Sequence, residues 1–321
     1  MNTTNVSRRA WPAVTVAIAA ATWCSFTATA QERWYPSKHG ADDTLGAINF
    51  LSPEKVVQAA KLIKTGKAYA LGVELGRDTP AYGTRSFQLF AVGSGDGSGA
   101  SKGSNRMTSN DDWIIAWMGI GSQIDGLGHL GIDHRYYNGV HVSEFWLADG
   151  LTKFGIDKLP PIVTRVVLLD IAGYRDETIL EAGTAINRKD IEGAMRTQKV
   201  EIGRGDVVIL NTGWQALSSV DPKRFMAGEP GLGLEGAKFL AAKDVVAVGA
   251  DQWGLEVVPG EDPDILFPVH QELLAKNGIY TLENMKTEEL VADKAWEFLF
   301  VLGQPKFKGA VQGIINPVAI R

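Results

Sequence analysis

The 321-residue sequence is poor in several kinds of residue, and each shortage excludes something. It holds one cysteine, Cys24, which lies in the first thirty residues. Past that leader there is no thiol for disulfides, thiolate metal ligation, cysteine nucleophiles or redox exchange, so the fold must rely on its core. Basic charge is in deficit: 32 Lys and Arg stand against 37 Asp and Glu, for a net charge of −5, with no Lys/Arg cluster. Nucleic-acid binding, which feeds on phosphate neutralisation, is not expected. The apolar stretch Ala10 to Trp23 falls short of the roughly 20 residues that span a bilayer, so no stable membrane anchor is expected. Histidine is scarce too, at five residues.

What is present reads as an exported α/β domain. Arg8 and Arg9 precede the apolar stretch, and Ala28-Thr29-Ala30 offers a small-residue cleavage site, so residues 1–30 are read as a signal peptide and residues 31–321 as one domain, periplasmic or secreted. Ser7-Arg8-Arg9 leaves both the general and the twin-arginine export routes open. Hydrophobic residues make up 45% of the chain, enough for a large core. Ser52-Pro53-Glu54 opens a helix expected to reach Lys64, and further helices are expected over Asn187 to Thr197, Leu234 to Lys243 and His270 to Lys276. Strands are expected over Val163 to Ile171, Asp206 to Leu210, Val245 to Val248, Ile279 to Leu282 and Trp296 to Leu302. The Gly/Ser-rich segment from Gly93 to Ser104 is a loop: it lacks the Gly-Lys-Ser/Thr ending of a phosphate cradle.

Three of the five histidines, His129, His134 and His141, follow closely on an acid in Gln123-Ile124-Asp125-Gly126-Leu127-Gly128-His129. On a strand, Gln123 and Asp125 share a face, and the glycines let the chain bend His129 back toward it. Such a set suits a metal that favours oxygen ligands, a carboxylate orienting a general-base histidine, or a satisfied hydrogen-bond network. Downstream, a helix starting at His270 and a strand ending at Glu283 can bring both residues to one end of a sheet. Of the nine tryptophans, Trp113, Trp117, Trp146, Trp214 and Trp253 flank these segments. Core packing is the default for each, with Trp253 the preferred pocket aromatic.

Taken in order, these segments resemble a known family. Gly121-Ser122-Gln123-Ile124-Asp125 and His129 are similar to the His-x-Gly-Thr-His-x-Asp-x-x-x-His signature of the metal-dependent cyclase-like hydrolases, which include bacterial kynurenine formamidase, isatin hydrolase and a trans-dienelactone hydrolase. Thr79-Pro80-Ala81-Tyr82, Gly205-Asp206 through Thr212-Gly213-Trp214, Gly249-Ala250-Asp251, His270, Glu283-Asn284 and Asn316-Pro317 follow in family order. The resemblance covers roughly residues 38 to 321. It implies a swivelling β/β/α single domain, a homodimer or homotetramer, and a divalent ion that activates water against a carbonyl of a small molecule. Carried over, Gln123, Asp125, His270 and Glu283 are the expected metal ligands and His129 the proton-transferring residue.

Two positions depart from the signature. Gly119 stands where the first histidine belongs and Gln123 where the second does, which favours manganese or magnesium, or a single-ion site, over tight zinc binding. The ion is expected to be Mn2+ or Zn2+, with His134 or His141 as candidates to fill the gap and His39 structural or at the pocket rim. The expected activity is opening of an amide, lactone or ester bond. A catalytically degraded binding protein on the same scaffold and an arylformamidase are the alternatives, and export argues against the latter.

Overall fold

The computed structural model describes Met1, residues 33–93 and residues 99–321, so the signal-peptide reading and part of the Gly/Ser-rich loop lie outside the described residues. Trp34–Arg321 forms one compact unit. Its thirteen described strands are β1 (Ala68–Ala70), β2 (Phe87–Gly93), β3 (Asn110–Ala116), β4 (Gln123–Asp125), β5 (Ile162–Asp170), β6 (Ala185–Ile186), β7 (Val207–Asn211), β8 (Gly231–Leu232), β9 (Ala247–Ala250), β10 (Tyr280–Glu283), β11 (Glu297–Leu302), β12 (Gln312–Ile314) and β13 (Val318–Ile320). Nine of them make one mixed sheet in the order β1-β13-β11-β5-β7-β9-β10-β4-β12.

The centre of that sheet is parallel. β5, β7, β9 and β10 pair in the same direction, and every residue of β7, β9 and β10 is buried. Parallel strands covered on both faces carry near-continuous apolar runs, as Val207-Val208-Ile209-Leu210 does. The crossovers carry the helices. Arg188–Gln198 connects β5 to β7, and its Asn187 start forms a capping box with Asp190. Leu234–Ala241 lies between β7 and β9. The chain then returns to β10 through Pro268–His270 and a wider π-helical turn, Gln271–Lys276.

Most expected elements form, with shifted ends. The helix after Ser52 is capped as read, with the Ser52 hydroxyl accepting from Lys55 N–H, but it stops at Ala60. The strand expected at Val245 joins the ladder at Ala247, after a turn with Asp244 at a left-handed φ of 57°. The tryptophans divide. Trp214 and Trp253 are buried in a small apolar cluster with Leu217 and Phe225. Core packing is wrong for Trp113, Trp117 and Trp146, which are 54–58% exposed. Trp113 lies on the β2–β3 hairpin, which pairs only with itself among the described strands, and Trp117 directly follows it, so no second layer covers either ring. No described helix is long and apolar enough to cross a membrane.

Candidate metal centre and its cavity

Three adjacent strands build the polar cluster. β4 lies antiparallel between β10 and the edge strand β12, with Asp125 in register with Thr281 on one side and Gln312 on the other. Gln123 is in register with Glu283. Cross-strand partners share a face, so this pairing alone gathers Thr281, Asp125, Gln312, Gln123 and Glu283 on one side of the sheet. The Thr281 hydroxyl donates to Asp125 Oδ2 at 2.8 Å and Gln312 Nε2 to Asp125 Oδ1 at 2.7 Å. Gln123 Nε2 bridges the two carboxylates, 2.7 Å from Glu283 Oε2 and 3.2 Å from Asp125 Oδ1.

His270 enters from the helix that precedes β10. Its Nε2 lies 3.3 Å from Glu283 Oε1 and 3.7 Å from Asp125 Oδ2. Its Nδ1 meets Glu256 Oε1 at 2.5 Å, and Glu256 also accepts the backbone N–H groups of Val269 and His270 at 3.2 Å. Glu256 therefore fixes both the ring and the helix start that carries it.

All of these groups are buried, and burial works against each charge. For His270 the hydrogen bonds to Asp125, Glu256 and Glu283 outweigh it and hold the imidazolium well above its ordinary range. For Asp125 burial is likewise overcome, by the attraction that His129 exerts when protonated and by the His270 and Gln312 hydrogen bonds, and its carboxyl sits below the usual range. Glu283 is pushed up to about 7 by burial and by the charge of Asp125. His129, half-buried at the cavity wall, is lowered chiefly by burial, with His270 and Arg85 adding to the effect against the pull of Asp125.

The donors fit a divalent cation. Asp125, His270 and Glu283 each offer one ligand atom within 4.8 Å of the others, the one such grouping found among the described residues. Ligands bonded at about 2.1 Å to one ion lie about 3–3.5 Å apart, close to the His270–Glu283 and His270–Asp125 spacings. Two adjacent buried carboxylates also call for cationic compensation. Gln123 turns its amide nitrogen to them in this structure, and rotating the amide would present Oε1 instead.

The cluster floors a cavity of about 210 Å³ lined by Tyr82, Arg85, His129, Trp253, Phe267 and His270. Trp253 stacks on Tyr82 with ring centres 5.5 Å apart and planes 19° apart, and Phe267 stands edge-on to Tyr82 and to His270. The structure thus brings together Gln123, Asp125, His129, Trp253, His270 and Glu283. His134 and His141 pair with each other at 6.2 Å, outside this cavity, and His141 caps the turn at Ser143; neither fills the place left by the missing signature histidines. His39 packs edge-on against Phe50.

Sequence reading missed Glu256, Gln312, Arg85 and Phe267. Glu256 and Gln312 carried a weak signal, each a polar residue set into an apolar run (Leu255-Glu256-Val257-Val258; Val311-Gln312-Gly313-Ile314). Arg85 carried none.

A mixed sheet in which β4 and β10 bring two carboxylates to a helix-borne histidine beneath an aromatic cavity defines a cyclase-type α/β fold with a candidate cation site. The chain belongs to the putative cyclase family, whose model matches residues 69–257. A crystal structure described as a novel cyclase is 31% identical, with 89% of this chain and 98% of that chain covered at a TM-score of 0.82. The fold is shared with isatin hydrolase A from Ralstonia solanacearum (14% identity, 79% of this chain, 92% of that one, TM-score 0.60). It is shared also with an isatin hydrolase bound to the product analogue thioisatinate (18% identity, 84% and 98% covered, TM-score 0.59). No match is found among curated proteins.

Proposed function

We propose that this chain is a metal-dependent hydrolase that opens an amide, lactone or ester bond in a small cyclic or aryl substrate. The observation that carries the proposal is the convergence of Asp125, His270 and Glu283 within 4.8 Å at the floor of an aromatic-walled cavity. At about 210 Å³ that cavity exceeds the roughly 150 Å³ that holds a benzene molecule, so a one- or two-ring substrate fits.

Asp125, His270 and Glu283 would hold the ion, Mn2+ or Zn2+, with Gln123 contributing its amide oxygen after rotation. A divalent ion there supplies Lewis-acid polarisation of a carbonyl and lowers the pKa of a water. With an ion bound His270 would be neutral, the Glu256 carboxylate would keep its one remaining proton on Nδ1, and Nε2 would be the ligating atom. His129, neutral because burial lowers its pKa, is available at the cavity wall to take a proton from the attacking water and to pass it to the leaving group. Trp253, Tyr82 and Phe267 stack the substrate ring and exclude water from the reacting carbonyl.

The protein is read as exported, on residues 1–30, and as a homodimer. For the dimer the β2–β3 region offers the surface: Leu89, Val92, Met107, Trp113, Ile114, Ile115 and Trp117 are each 45–58% exposed. Cross-strand pairing puts Leu89 and Ile114 on one face of the hairpin and Val92, Trp113 and Ile115 on the other, so both faces present apolar side chains to solvent. A second copy is the occupant that this self-paired hairpin fits.

The test is elemental analysis of the purified protein with assays on an aryl formamide, isatin and a dienelactone after loading manganese or zinc. Bound ion with turnover supports the hydrolase. Asp125→Ala should abolish ion binding, whereas His129→Ala should keep the ion and lose about 10²–10⁴-fold in kcat. Folded protein with neither ion nor turnover would favour a binding protein on this scaffold.

A further inference from the structure

Gly119 stands where the family signature has a histidine, and the space beside it is not empty. A Cβ built on Gly119 would lie 3.0 Å from Arg85 Nη1 and 2.8 Å from the Gln312 amide. Arg85 reaches this place from the segment before β2 and donates from Nη1 to the Gly119 carbonyl at 2.8 Å. Its guanidinium carbon lies 5.9 Å from the centre of the Tyr82 ring, and the residue lines the same cavity as His129, His270 and Glu283. A fixed cation therefore occupies the position that a ligating imidazole would otherwise fill.

That cation is short of partners. A guanidinium has five N–H donors in a planar fork. The Gly119 carbonyl takes one, and no carboxylate among the described residues lies within ion-pair distance of Arg85. The nearby acids are engaged elsewhere: Asp125 by Thr281, Gln312, Gln123 and His270, Glu283 by Gln123 and His270, and Glu256 by His270 and the helix start. Once an ion neutralises Asp125 and Glu283, Arg85 is an uncompensated positive charge on the wall of a cavity that Tyr82, Trp253 and Phe267 also line.

We infer that Arg85 is the specificity-determining residue of this site and receives a carboxylate carried by the substrate, so that the preferred substrate is an aryl or heterocyclic ester, amide or lactone bearing a carboxylate. The inference rests on the hydrolase reading for the word substrate, but not for the anion site itself. The geometry supports a division of labour. The rings of Tyr82, Trp253 and Phe267 hold the flat body of the molecule, the guanidinium fork takes the carboxylate, and the labile bond is directed toward Asp125, His270 and Glu283. Planar, two-point recognition of carboxylate is what arginine does better than lysine.

Two measurements test it. In the first, benzoate and benzamide are titrated calorimetrically into the ion-loaded full chain, its Arg85→Gln and Arg85→Lys variants and the chelator-treated protein. Benzoate should bind the parent at least about tenfold more tightly than benzamide, a margin that Arg85→Gln erases and Arg85→Lys only partly restores. Equal affinities for the two probes, or a benzoate affinity that survives Arg85→Gln and disappears with the ion, overturns the proposal, the latter by moving the anion to the metal cluster. This measurement needs no turnover, so it stands if the hydrolase reading fails. In the second, 2-, 3- and 4-acetoxybenzoate are compared with phenyl acetate. The ratio of kcat/KM for the best carboxylated ester over the neutral one should fall about 10- to 100-fold in Arg85→Gln, mostly through KM. An equal loss of kcat on both esters would assign Arg85 to the reacting oxygen instead and refute the anchor.

Discussion

Exchanging Glu256 for glutamine changes one charge and almost no volume, which makes it a sharp probe of the cluster. The Glu256 carboxylate is buried and accepts three N–H bonds, from the His270 ring at 2.5 Å and from the backbones of His270 and Val269 at 3.2 Å each. A glutamine can keep its oxygen on the side that serves His270. Its amide nitrogen then faces the Val269 N–H, donor against donor, so one bond is lost outright and the ring bond loses its ionic character. A lost bond of this kind costs roughly 1–3 kcal/mol, and loss of the carboxylate behind a ligating imidazole weakens ion binding about 10- to 100-fold. The assay is competition for manganese or zinc against a chromophoric chelator near pH 7.5, with thermal unfolding of the ion-free protein alongside. The expected result is a 10- to 100-fold weaker ion affinity and a lower Tm in a folded variant. An unchanged ion affinity would refute the claim that Glu256 orients His270.

The other predictions concern different parts of the molecule. Asp251 is fully buried and pushed up to about 6 by that burial, against the hydrogen bonds from the Thr212 backbone and hydroxyl and with the charge of Glu288 adding to the rise. Its unfolded pKa is near 4, so the folded state binds the proton more tightly and stability is lost as pH rises from about 4 to about 6. The gap of about two units corresponds to roughly 3 kcal/mol. Urea unfolding of the parent and of Asp251→Asn from pH 4 to 7 should therefore show a difference that grows in favour of the variant across that window; a flat difference would discount the burial of this charge. At the hairpin, the parent should sediment as a dimer and Trp113→Asp as a monomer at micromolar concentration, because the charge would enter an apolar contact. A variant that still sediments as a dimer would move the interface elsewhere.

How much of this was legible in the residues follows their physics. Gln123 and Asp125 could be placed on one face because strand periodicity is local, and Val207 to Leu210 read as a buried strand because its apolar run is unbroken. The helix caps at Ser52 and Asn187 were equally local. The pairing of β4 between β10 and β12 was not, since it joins segments more than 150 residues apart and depends on register that no short pattern encodes. Arg85 was invisible for the same reason, its role set by a glycine 34 positions away. The exposed tryptophans misled because core packing is the default for an aromatic ring, whereas Trp113 lies on a hairpin that pairs outside the main sheet.

The crowding around Gly119 bears on the order in which this site could have changed. Restoring a histidine at 119 would displace two flexible side-chain ends, Arg85 Nη1 and the Gln312 amide, which is sterically inexpensive. Each end, however, is already engaged, Arg85 with the Gly119 carbonyl and Gln312 with Asp125. A lone Gly119→His change would therefore trade away a contact of the carboxylate it is meant to assist. The three positions form a ratchet: recovering the first signature histidine without losing these contacts requires concerted substitution at 85, 119 and 312, and an engineer or a lineage taking one step at a time would first give up a contact of Arg85 or of Asp125.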